Sequence, residues 1–249
     1  MDFIVSAKLK IQGTFKIIIV NSFFDNESQE IISDIAKKEN CDFLPIENKG
    51  YGYGNNQGIN WALEHYDFKY LIISNPDIEI LNLSVSDLNS SDEIIGPNIR
   101  TLSGKKQNPY FYFKLGFIEM LKYYAFKFDS KTIFYFGIII NKFLRESMLF
   151  INRILNKDKF RVYALHGSFI IFNRNVFEKM KIVFYEKMFL FSEEVYLAWN
   201  AKKLNLKLMV NNRINVLHKE DGSVTLIGDK VSKYEKESFF EYYLLKKGK

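Results

Sequence analysis

The sequence is poor in cysteine, proline and histidine, with one, four and three of these residues among 249, and it has no long hydrophobic run. The lone Cys41 excludes an internal disulfide framework and any zinc site built from several cysteines. No window reaches the ~18 apolar residues that a transmembrane helix needs. The first residues include an acid where a secretory signal is basic, so we expect no signal peptide. Together these absences predict a cytoplasmic protein.

Positive charge is abundant in one segment only. From Arg100 to Arg161 there are 13 Lys and Arg residues against 4 Asp and Glu, although the net charge of the whole chain is +6. Residues 110–160 are also rich in Phe and Tyr, with apolar residues at helical spacing. Basic aromatic helices suit an anionic membrane surface, and helices packed on the core with solvated lysines are the alternative. No known nucleic-acid-binding module is present, so we expect no nucleic-acid partner.

The first hundred residues alternate between predicted strands and helices. Apolar and β-branched runs predict strands at 15–20, 42–46, 71–74 and 94–99, with helices at 28–38 and after residue 58. Ser28 is placed to cap the first of these helices. The alternation is typical of an α/β fold whose central sheet is mostly parallel and flanked by helices. We expect one domain over residues 1–249, with a helical insertion at about 110–160 and a C-terminal helix at about 232–247.

The strand at 71–74 precedes the most informative stretch. Its four apolar or small residues predict burial on both faces, and Asn75-Pro76 ends it because proline cannot donate to a sheet ladder. Asp77 follows at once. Ligands of open α/β sheets bind at the carboxyl ends of strands, where a carboxylate suits a divalent cation that holds a diphosphate. A turn carrying solvated acids is the alternative.

Three glycines between residues 50 and 54 lie ahead of a predicted helix. The dinucleotide-binding pattern G-x-G-x-x-G is excluded, because Gln57 and Asn55 stand where its third glycine would be. We interpret the stretch as flexible backbone near a ligand, with Asn55 and Asn56 available to phosphate or sugar hydroxyls. A glycine-rich connector is the alternative.

Two stretches in the second half carry further polar candidates. A predicted strand pair at 162–172 is broken at His166-Gly167-Ser168. A predicted helix begins after Ser192, which is a plausible N-cap, and Glu193 and Glu194 lie in its first turn. Such a helix start is favourable by itself, so these acids need no functional explanation on their own.

Five segments, in this order along residues 16–245, resemble motifs of family 2 glycosyltransferases of the GT-A fold, a Rossmann-like α/β fold. The nearest subgroup is the rhamnosyltransferase-like enzymes of bacterial surface polysaccharide assembly. Residues 48–58 resemble N-x-G-F/Y-G/A-x-G-N-N-x-G, and residues 74–77 the N-P-D form of a D-x-D metal site. Residues 166–174 resemble G-A/S-x-M/L-L/I-x-R-R, residues 189–197 F-F/L-Y-x-E-D-x-D-L, and residues 218–223 H-x-x-G-x-S.

The resemblance implies an inverting transfer of a sugar from a nucleotide-diphosphate donor to an acceptor hydroxyl. Asp77 and His218 would hold Mn²⁺ or Mg²⁺. Glu194 occupies the position of the base, Glu193 is the second catalytic candidate, and the helix N-terminus is expected to favour the ionised form of Glu194. The implied donor-binding residues are Asp25, Asn48, Gly50, Asn55, Asn56 and Asn75, and the implied acceptor-binding residues are His166, Gly167, Ser168 and Trp199.

The implied partners are a UDP- or dTDP-linked sugar and a lipid-linked glycan, at the inner face of a bacterial cell membrane that the protein contacts peripherally. A homodimer is compatible with the resemblance.

The chain departs from the family pattern at several positions. The family's V-D-N-x-S-x-D strand end has Asn21 and Asn26 here in place of acids, and about 15 residues precede this strand where relatives carry a strand and a helix. Glu194 is one methylene longer than the usual Asp, and Tyr196 replaces an acid. Two alternatives therefore stay open: a non-catalytic, membrane-associated partner of a polysaccharide assembly complex, and a nucleotidyltransferase of related fold.

Overall fold

The computed structural model describes residues 2–23, 25–220 and 231–248. The first half of the chain forms α1 (Asp2–Lys10), β1 (Ile11–Gln12), β2 (Ile18–Phe23), α2 (Asn26–Lys38), β3 (Asp42–Glu47), α3 (Tyr51–His65), β4 (Tyr70–Ser74), β5 (Ile78–Ser84) and β6 (Ile94–Thr101). The second half forms α4 (Gly116–Lys127), α5 (Lys131–Ile154), β7 (Lys159–Val162), β8 (Phe169–Asn173), α6 (Val176–Lys179), α7 (Glu193–Lys203), β9 (Leu208–His218) and α8 (Val231–Lys246). Gly222 and Ser223 of the last motif lie outside the described residues.

The predicted α/β architecture is present, but its main sheet is mixed in direction. The seven-stranded sheet has the order β1-β5-β9-β6-β8-β4, with β7 also paired to β9. β8 runs antiparallel to both of its neighbours, β4 and β6, whereas β6 and β9 are parallel. β2 and β3 form a separate parallel pair. The expectation of a mostly parallel sheet thus fits the early strands and not the main sheet, because apolar periodicity carries no information on strand direction.

The strand that is buried on both faces is β8, and not β4. All five residues of β8 are buried. Ile170 and Phe172 belong to one core cluster with α3 and α7, and Phe169 and Ile171 to a second cluster with α1. In β4 only Ile73 is buried, since β4 ends the main sheet. A short apolar run predicts a strand but does not distinguish a central strand from an edge strand.

Several element boundaries differ from the predicted ones. The predicted glycine-rich loop is helical, because α3 begins at Tyr51 and includes Gly52, Gly54 and Gly58. α2 is capped by the Asp25 carboxylate, which accepts a hydrogen bond from the Ser28 backbone N–H at 2.7 Å, so the predicted cap at Ser28 is wrong. Asp25, whose short polar side chain lies nearer the end of β2, is the N-cap residue instead. Helix α1 is not among the predicted elements, and it packs on β5.

The helical insertion at 110–160 is present as a hairpin of α4 and α5, and the C-terminal helix α8 lies close to its predicted bounds. Gly137 of α5 faces Leu121 of α4, where an added Cβ would lie 3.7 Å from the leucine Cβ. α4 is joined to α8 by Lys122–Glu235 at 2.9 Å and by an ion pair between Glu119 and Lys246. Among the described residues, no helix is long and apolar enough to cross a bilayer.

Candidate active site

Asp77 and His218 lie side by side at one edge of the main sheet. Ile78 of β5 is opposite His218 of β9 in an antiparallel ladder, so the residue before β5 meets the end of β9. The Asp77 Oδ2 atom is 3.3 Å from His218 Nε2, and both side chains are buried. The Lys219 backbone N–H also donates to the Asp77 carbonyl at 3.0 Å. The structure thus brings together the two residues that the sequence analysis assigned to the metal.

Gln107 sets the orientation of the His218 ring. Its Oε1 atom is 2.8 Å from His218 Nδ1, and its Nε2 donates to Glu220 at 2.8 Å, which identifies the oxygen of the amide. His218 Nδ1 is therefore the donor toward Gln107. In the neutral ring this leaves the lone pair of Nε2 facing a carboxylate oxygen of Asp77. Two lone pairs that face each other repel, and a proton or a metal cation between them removes this repulsion.

The donor set fits a divalent cation that completes its coordination with substrate oxygens. Mg²⁺ is commonly bound by one or two carboxylates together with substrate phosphates, and imidazole is also an accepted ligand of metals of this series. The described residues contain no group of three or more His, Cys, Asp or Glu side chains placed to hold a metal. Asp77 and His218 alone would therefore be a partial coordination shell, which suits a metal that binds together with a diphosphate.

The turn 166–168 lies next to this pair. The His166 ring is 5.7 Å from the His218 ring, and its Nδ1 accepts a hydrogen bond from the Ser168 N–H at 3.2 Å. Burial, followed by repulsion from His218 and from nearby cations, lowers the pKa of His166 to about 3, so this imidazole is neutral at physiological pH. The Ser168 carbonyl accepts from the Asn75 N–H at 2.9 Å, which ties the turn to the end of β4.

Glu194 lies on the other side of the same turn. Its Oε1 accepts a hydrogen bond from the Gly167 N–H at 3.4 Å, and a Cβ added to Gly167 would lie 3.2 Å from this oxygen. The Tyr51 hydroxyl donates to the Gly167 carbonyl at 2.8 Å, so the start of α3 is held to the turn as well. The predicted metal residues, the predicted acceptor turn and the predicted base therefore form one continuous group.

The two acids at the start of α7 both have raised pKa values. Burial raises the pKa of Glu193 to about 8, and the neighbouring carboxylate of Glu194 adds to the rise. Burial also raises the pKa of Glu194, against the effect of its backbone hydrogen bonds. The expectation that the helix N-terminus favours ionised Glu194 is thus corrected, because the loss of hydration at this partly buried position outweighs the helix dipole.

The backbone before α7 is strained. Phe191 and Ser192 have φ values of 73° and 68°, a conformation that residues with a Cβ rarely adopt. Ser192 is the N-cap residue by position, but its side chain makes no capping hydrogen bond, so the predicted cap is wrong in its chemistry. Within the described part of the chain, Ser192 Oγ and Glu193 Oε1 are buried without a hydrogen-bond partner. Strain and unsatisfied polar groups of this kind concentrate at functional sites.

Only some of the predicted donor-binding residues lie at the start of α3 with their side chains near its first turn. Asn48 Oδ1 accepts from the Gly50 N–H at 3.3 Å, and Asn55 Nδ2 donates to the Tyr51 carbonyl at 3.0 Å, so both lie at the start of α3. Asn56 is buried, and its amide bonds Phe184 through both its oxygen and its nitrogen, and Glu186 as well. These bonds give Asn56 a structural role between α3 and the 184–186 segment.

Asp25 and Trp199 lie away from this continuous group. Asp25 is exposed and caps α2. Trp199 is partly buried in an aromatic cluster of α4, α7 and α8, with Lys203 Nζ 4.6 Å from its ring centroid. The assigned donor and acceptor roles of these two residues stay predictions.

Three residues around the site were not singled out in the sequence. Gln107 orients His218, and Asn108 accepts from the His166 N–H at 2.8 Å. Tyr110 places its ring 6.2 Å from that of His166. They lie in an irregular stretch after β6 where no periodicity or motif marks them, so only the tertiary structure identifies them.

Gly50 is the position where substitution is expected to disturb the site most. Its φ is +105°, and an added Cβ would lie 2.4 Å from the Phe189 carbonyl oxygen. Gly50→Ala should therefore lower the free energy of unfolding by about 2–6 kcal/mol, from backbone strain together with the clash. Urea denaturation measures this loss.

Gly104 is the matched control for Gly50. It also has a positive φ, +80°, but nothing lies within 4 Å of an added Cβ. Gly104→Ala should cost only the strain, about 1–3 kcal/mol. If both variants lost the same free energy of unfolding, the result would contradict the close contact between Gly50 and the Phe189 carbonyl.

Solved structures that resemble most of this chain include two crystal structures. A crystal structure of GalNAc-T7 with UDP, GalNAc and Mn²⁺ matches 87% of this chain with a TM-score of 0.56 and 13% sequence identity. A crystal structure of S. aureus TarS matches 97% of this chain with a TM-score of 0.55 and 11% identity. The match spans 40% of the length of each of those proteins. By sequence, neither a protein-family model nor a curated protein matches this chain.

These likenesses establish the fold and not the activity, since the identities are low. The chain has the GT-A fold of glycosyltransferases, which confirms the predicted fold class. The rhamnosyltransferase-like subgroup stays a prediction.

Proposed function

We propose that the protein is an inverting, metal-dependent glycosyltransferase that moves a sugar from a nucleotide-diphosphate donor to a glycan acceptor. The observation that carries the proposal is the continuous group of Asp77, His218, His166, Gly167 and Glu194 described above. The GT-A fold and the match to a structure holding UDP, GalNAc and Mn²⁺ support it. A hydrolase would instead use two opposed carboxylates across the scissile bond.

Glu194 is the proposed general base. It takes the proton from the acceptor hydroxyl, the hydroxyl oxygen attacks the anomeric carbon, and the bond from that carbon to the diphosphate oxygen breaks. The Gly167 N–H keeps the carboxylate directed at the acceptor turn. A base must be ionised to act, and its raised pKa makes it a stronger base once it is ionised.

Asp77 and His218 are the proposed metal ligands, with Gln107 holding the His218 ring in place. A bound Mn²⁺ or Mg²⁺ supplies charge stabilisation for the departing nucleoside diphosphate. The first turn of α3, near Asn48, Gly50 and Asn55, is the proposed donor side, because the N-terminus of a helix favours phosphate. Asn75, the residue after β4, is the proposed donor-side residue next to the turn 166–168, to which its backbone N–H is bonded.

The proposed acceptor is a lipid-linked glycan of bacterial surface polysaccharide synthesis, met at the inner face of the cell membrane. The resemblance to rhamnosyltransferase-like enzymes supports this acceptor, and a UDP- or dTDP-linked sugar is the proposed donor. His166, Gly167 and Ser168 would contact the acceptor hydroxyl from the side of Glu194.

Nucleotide binding tests the proposal first. We expect calorimetric titration with UDP, dTDP and GDP to give a clear heat of binding for one of them in the presence of Mn²⁺ and a much weaker one with EDTA. Nucleotide sugars of the base so identified would then release the nucleoside diphosphate when an acceptor is added. Binding of none of the three with metal would contradict the proposal and favour the non-catalytic assembly partner. Formation of a nucleotide sugar with release of pyrophosphate would identify a nucleotidyltransferase.

A further inference from the structure

Helix α5 presents a row of large apolar side chains to solvent. Six of them are between 52% and 71% exposed, and we call them the α5 stripe: Tyr135, Phe136, Ile139, Phe143, Phe150 and Ile154. At about 100° per residue they lie within about 100° of one another around the helix axis. Glu146 falls within the same arc between Phe143 and Phe150, and large apolar side chains grouped on one exposed helix face in this way mark an interaction site.

The rotation of α5 about its axis is fixed by contacts on the opposite face. Gly137 and Asn152 are buried there. Asn141 Nδ2 donates to the Tyr110 carbonyl at 3.1 Å, and Asn152 Nδ2 donates to the Tyr112 hydroxyl at 2.9 Å. Turning the stripe inward would carry both amides to the outer side of the helix and break these two hydrogen bonds. The stripe is therefore a stable outer surface of the fold.

Cations adjoin the stripe. Lys142 and Arg153 of α5 lie along one border of it at helical spacing, whereas the Arg145 side chain is turned away from the stripe and is only 13% exposed. Lys106, in the turn after β6, adds to this border. Partial burial, followed by repulsion from the nearby Arg153 and Arg100, lowers its pKa. Glu146 pairs with Arg145 at 3.0 Å. The border thus carries a surplus of positive charge, as does the whole segment 100–161.

The same border reaches the candidate active site. Tyr110 joins the two regions through contact, since its carbonyl accepts from Asn141 of α5 and its ring lies 6.2 Å from that of His166. A molecule bound along this border would have its phosphate groups close to the proposed acceptor turn.

We propose that the α5 stripe and its cationic border dock the protein on an anionic phospholipid bilayer, with α5 lying in the interface. Amphipathic helices with an apolar face and flanking Lys and Arg bind such surfaces by apolar burial and by attraction to acidic headgroups. A second copy of the chain is the less suitable occupant, because a two-fold contact sets the same patch against itself and would oppose two cationic borders. This inference deepens the proposed glycosyltransferase function. It rests on that function for the assignment of the acceptor side.

Vesicle flotation tests the docking surface with a matched pair of variants. Ile139→Glu/Phe143→Glu alters the stripe at positions that are 63% and 71% exposed, and Leu9→Glu/Ile31→Glu alters α1 and α2 at positions that are 73% and 55% exposed. Both variants add two negative charges at exposed helix positions, so their effects on folding should be similar. The probes are phosphatidylcholine vesicles, and the same vesicles with about one-third phosphatidylglycerol.

We expect the wild type and the Leu9/Ile31 variant to float with the anionic vesicles, less so in high salt, and to bind neutral vesicles weakly. The Ile139/Phe143 variant should bind the anionic vesicles at least about tenfold less. The proposal is overturned if the wild type does not bind them, or if the two variants bind alike. It is also overturned if sedimentation shows a wild-type dimer that only the stripe variant dissociates, since the stripe is then a subunit interface.

Nucleotide binding separates this proposal from the preceding one. The stripe variant should bind the nucleoside diphosphate with Mn²⁺ as the wild type does, because no stripe residue touches the Asp77–His218 pair or Glu194. If no protein binds nucleotide while the wild type still floats with anionic vesicles, the transferase function fails and the docking surface stands.

Discussion

Glu194→Gln should lower the rate of sugar transfer by about 10²- to 10⁴-fold, the contribution of a general base. The amide keeps the shape of the side chain and can still contact the Gly167 turn, but it cannot take a proton from the acceptor hydroxyl. Binding of the nucleoside diphosphate with Mn²⁺ should be unchanged, since Glu194 lies at the acceptor side. The measurement is the steady-state rate of nucleoside diphosphate release with acceptor present. An unchanged rate would remove Glu194 from the mechanism.

The pH dependence of the transfer rate is a second test of Glu194 as the base. The base works when it is ionised, and burial raises the pKa of Glu194, so the transfer rate should rise with pH from the acidic side. Glu193→Gln is the control: repulsion between the two carboxylates is mutual, so removing one lowers the pKa of the other and moves the midpoint of the profile to lower pH. Transfer at high pH should persist in this variant. Complete inactivation would instead assign a direct role to Glu193.

Stability provides an independent readout on Glu193. Its pKa is about 8 in the folded protein against an ordinary value of 4.5, so the folded state holds this proton more tightly than the unfolded chain does. The carboxyl is protonated in both states below about pH 4.5. Between about pH 4.5 and pH 8 it ionises in the unfolded chain while the folded state keeps its proton, so the free energy of unfolding falls as the pH rises. The Tm of Glu193→Gln should therefore exceed that of the wild type by a margin that grows from pH 5 to pH 8. A margin independent of pH would contradict the raised pKa.

Asp77→Ala should weaken metal-dependent binding of the nucleoside diphosphate by at least about 100-fold, since changes outside the ligand shell alone cost 10- to 100-fold in metal affinity. The substitution removes the carboxylate of the proposed pair and leaves His218 as the only proposed side-chain ligand. Calorimetric titration with Mn²⁺ present measures the loss, and binding with EDTA should be the same in both proteins. Affinity equal to that of the wild type with Mn²⁺ would exclude Asp77 as a ligand.

Glu79→Ala is the matched control for Asp77. It removes a carboxylate two residues away, on the same strand–turn segment, but Glu79 is partly exposed and pairs with Lys219 at 3.4 Å. An exposed pair of this kind contributes little to stability, and Glu79 is not next to His218. Nucleotide binding by Glu79→Ala should match the wild type. Equal losses in the two variants would indicate a nonspecific effect of negative charge near the end of β4.

The local elements and the candidate chemistry could be predicted from the sequence. The proline after β4 ended the strand where expected. The glutamates after Ser192 do begin a helix, and the aromatic segment does form helices. These predictions succeeded because apolar spacing, proline and N-terminal acids act within a few residues of chain. The resemblance added the order of the motifs and hence the GT-A fold.

The tertiary structure decided everything that depends on distant neighbours. Strand direction is mixed because β8 inserts antiparallel between β4 and β6, which are closer in sequence to each other than to β8. Gln107 orients His218 across 111 positions of sequence, and burial reverses the expected effect of the helix on Glu194. The apolar face of α5 points outward, because polar anchors on its other face fix the helix rotation. Hydrophobic periodicity determines that a helix has two faces, whereas packing against the rest of the fold determines which face meets the solvent.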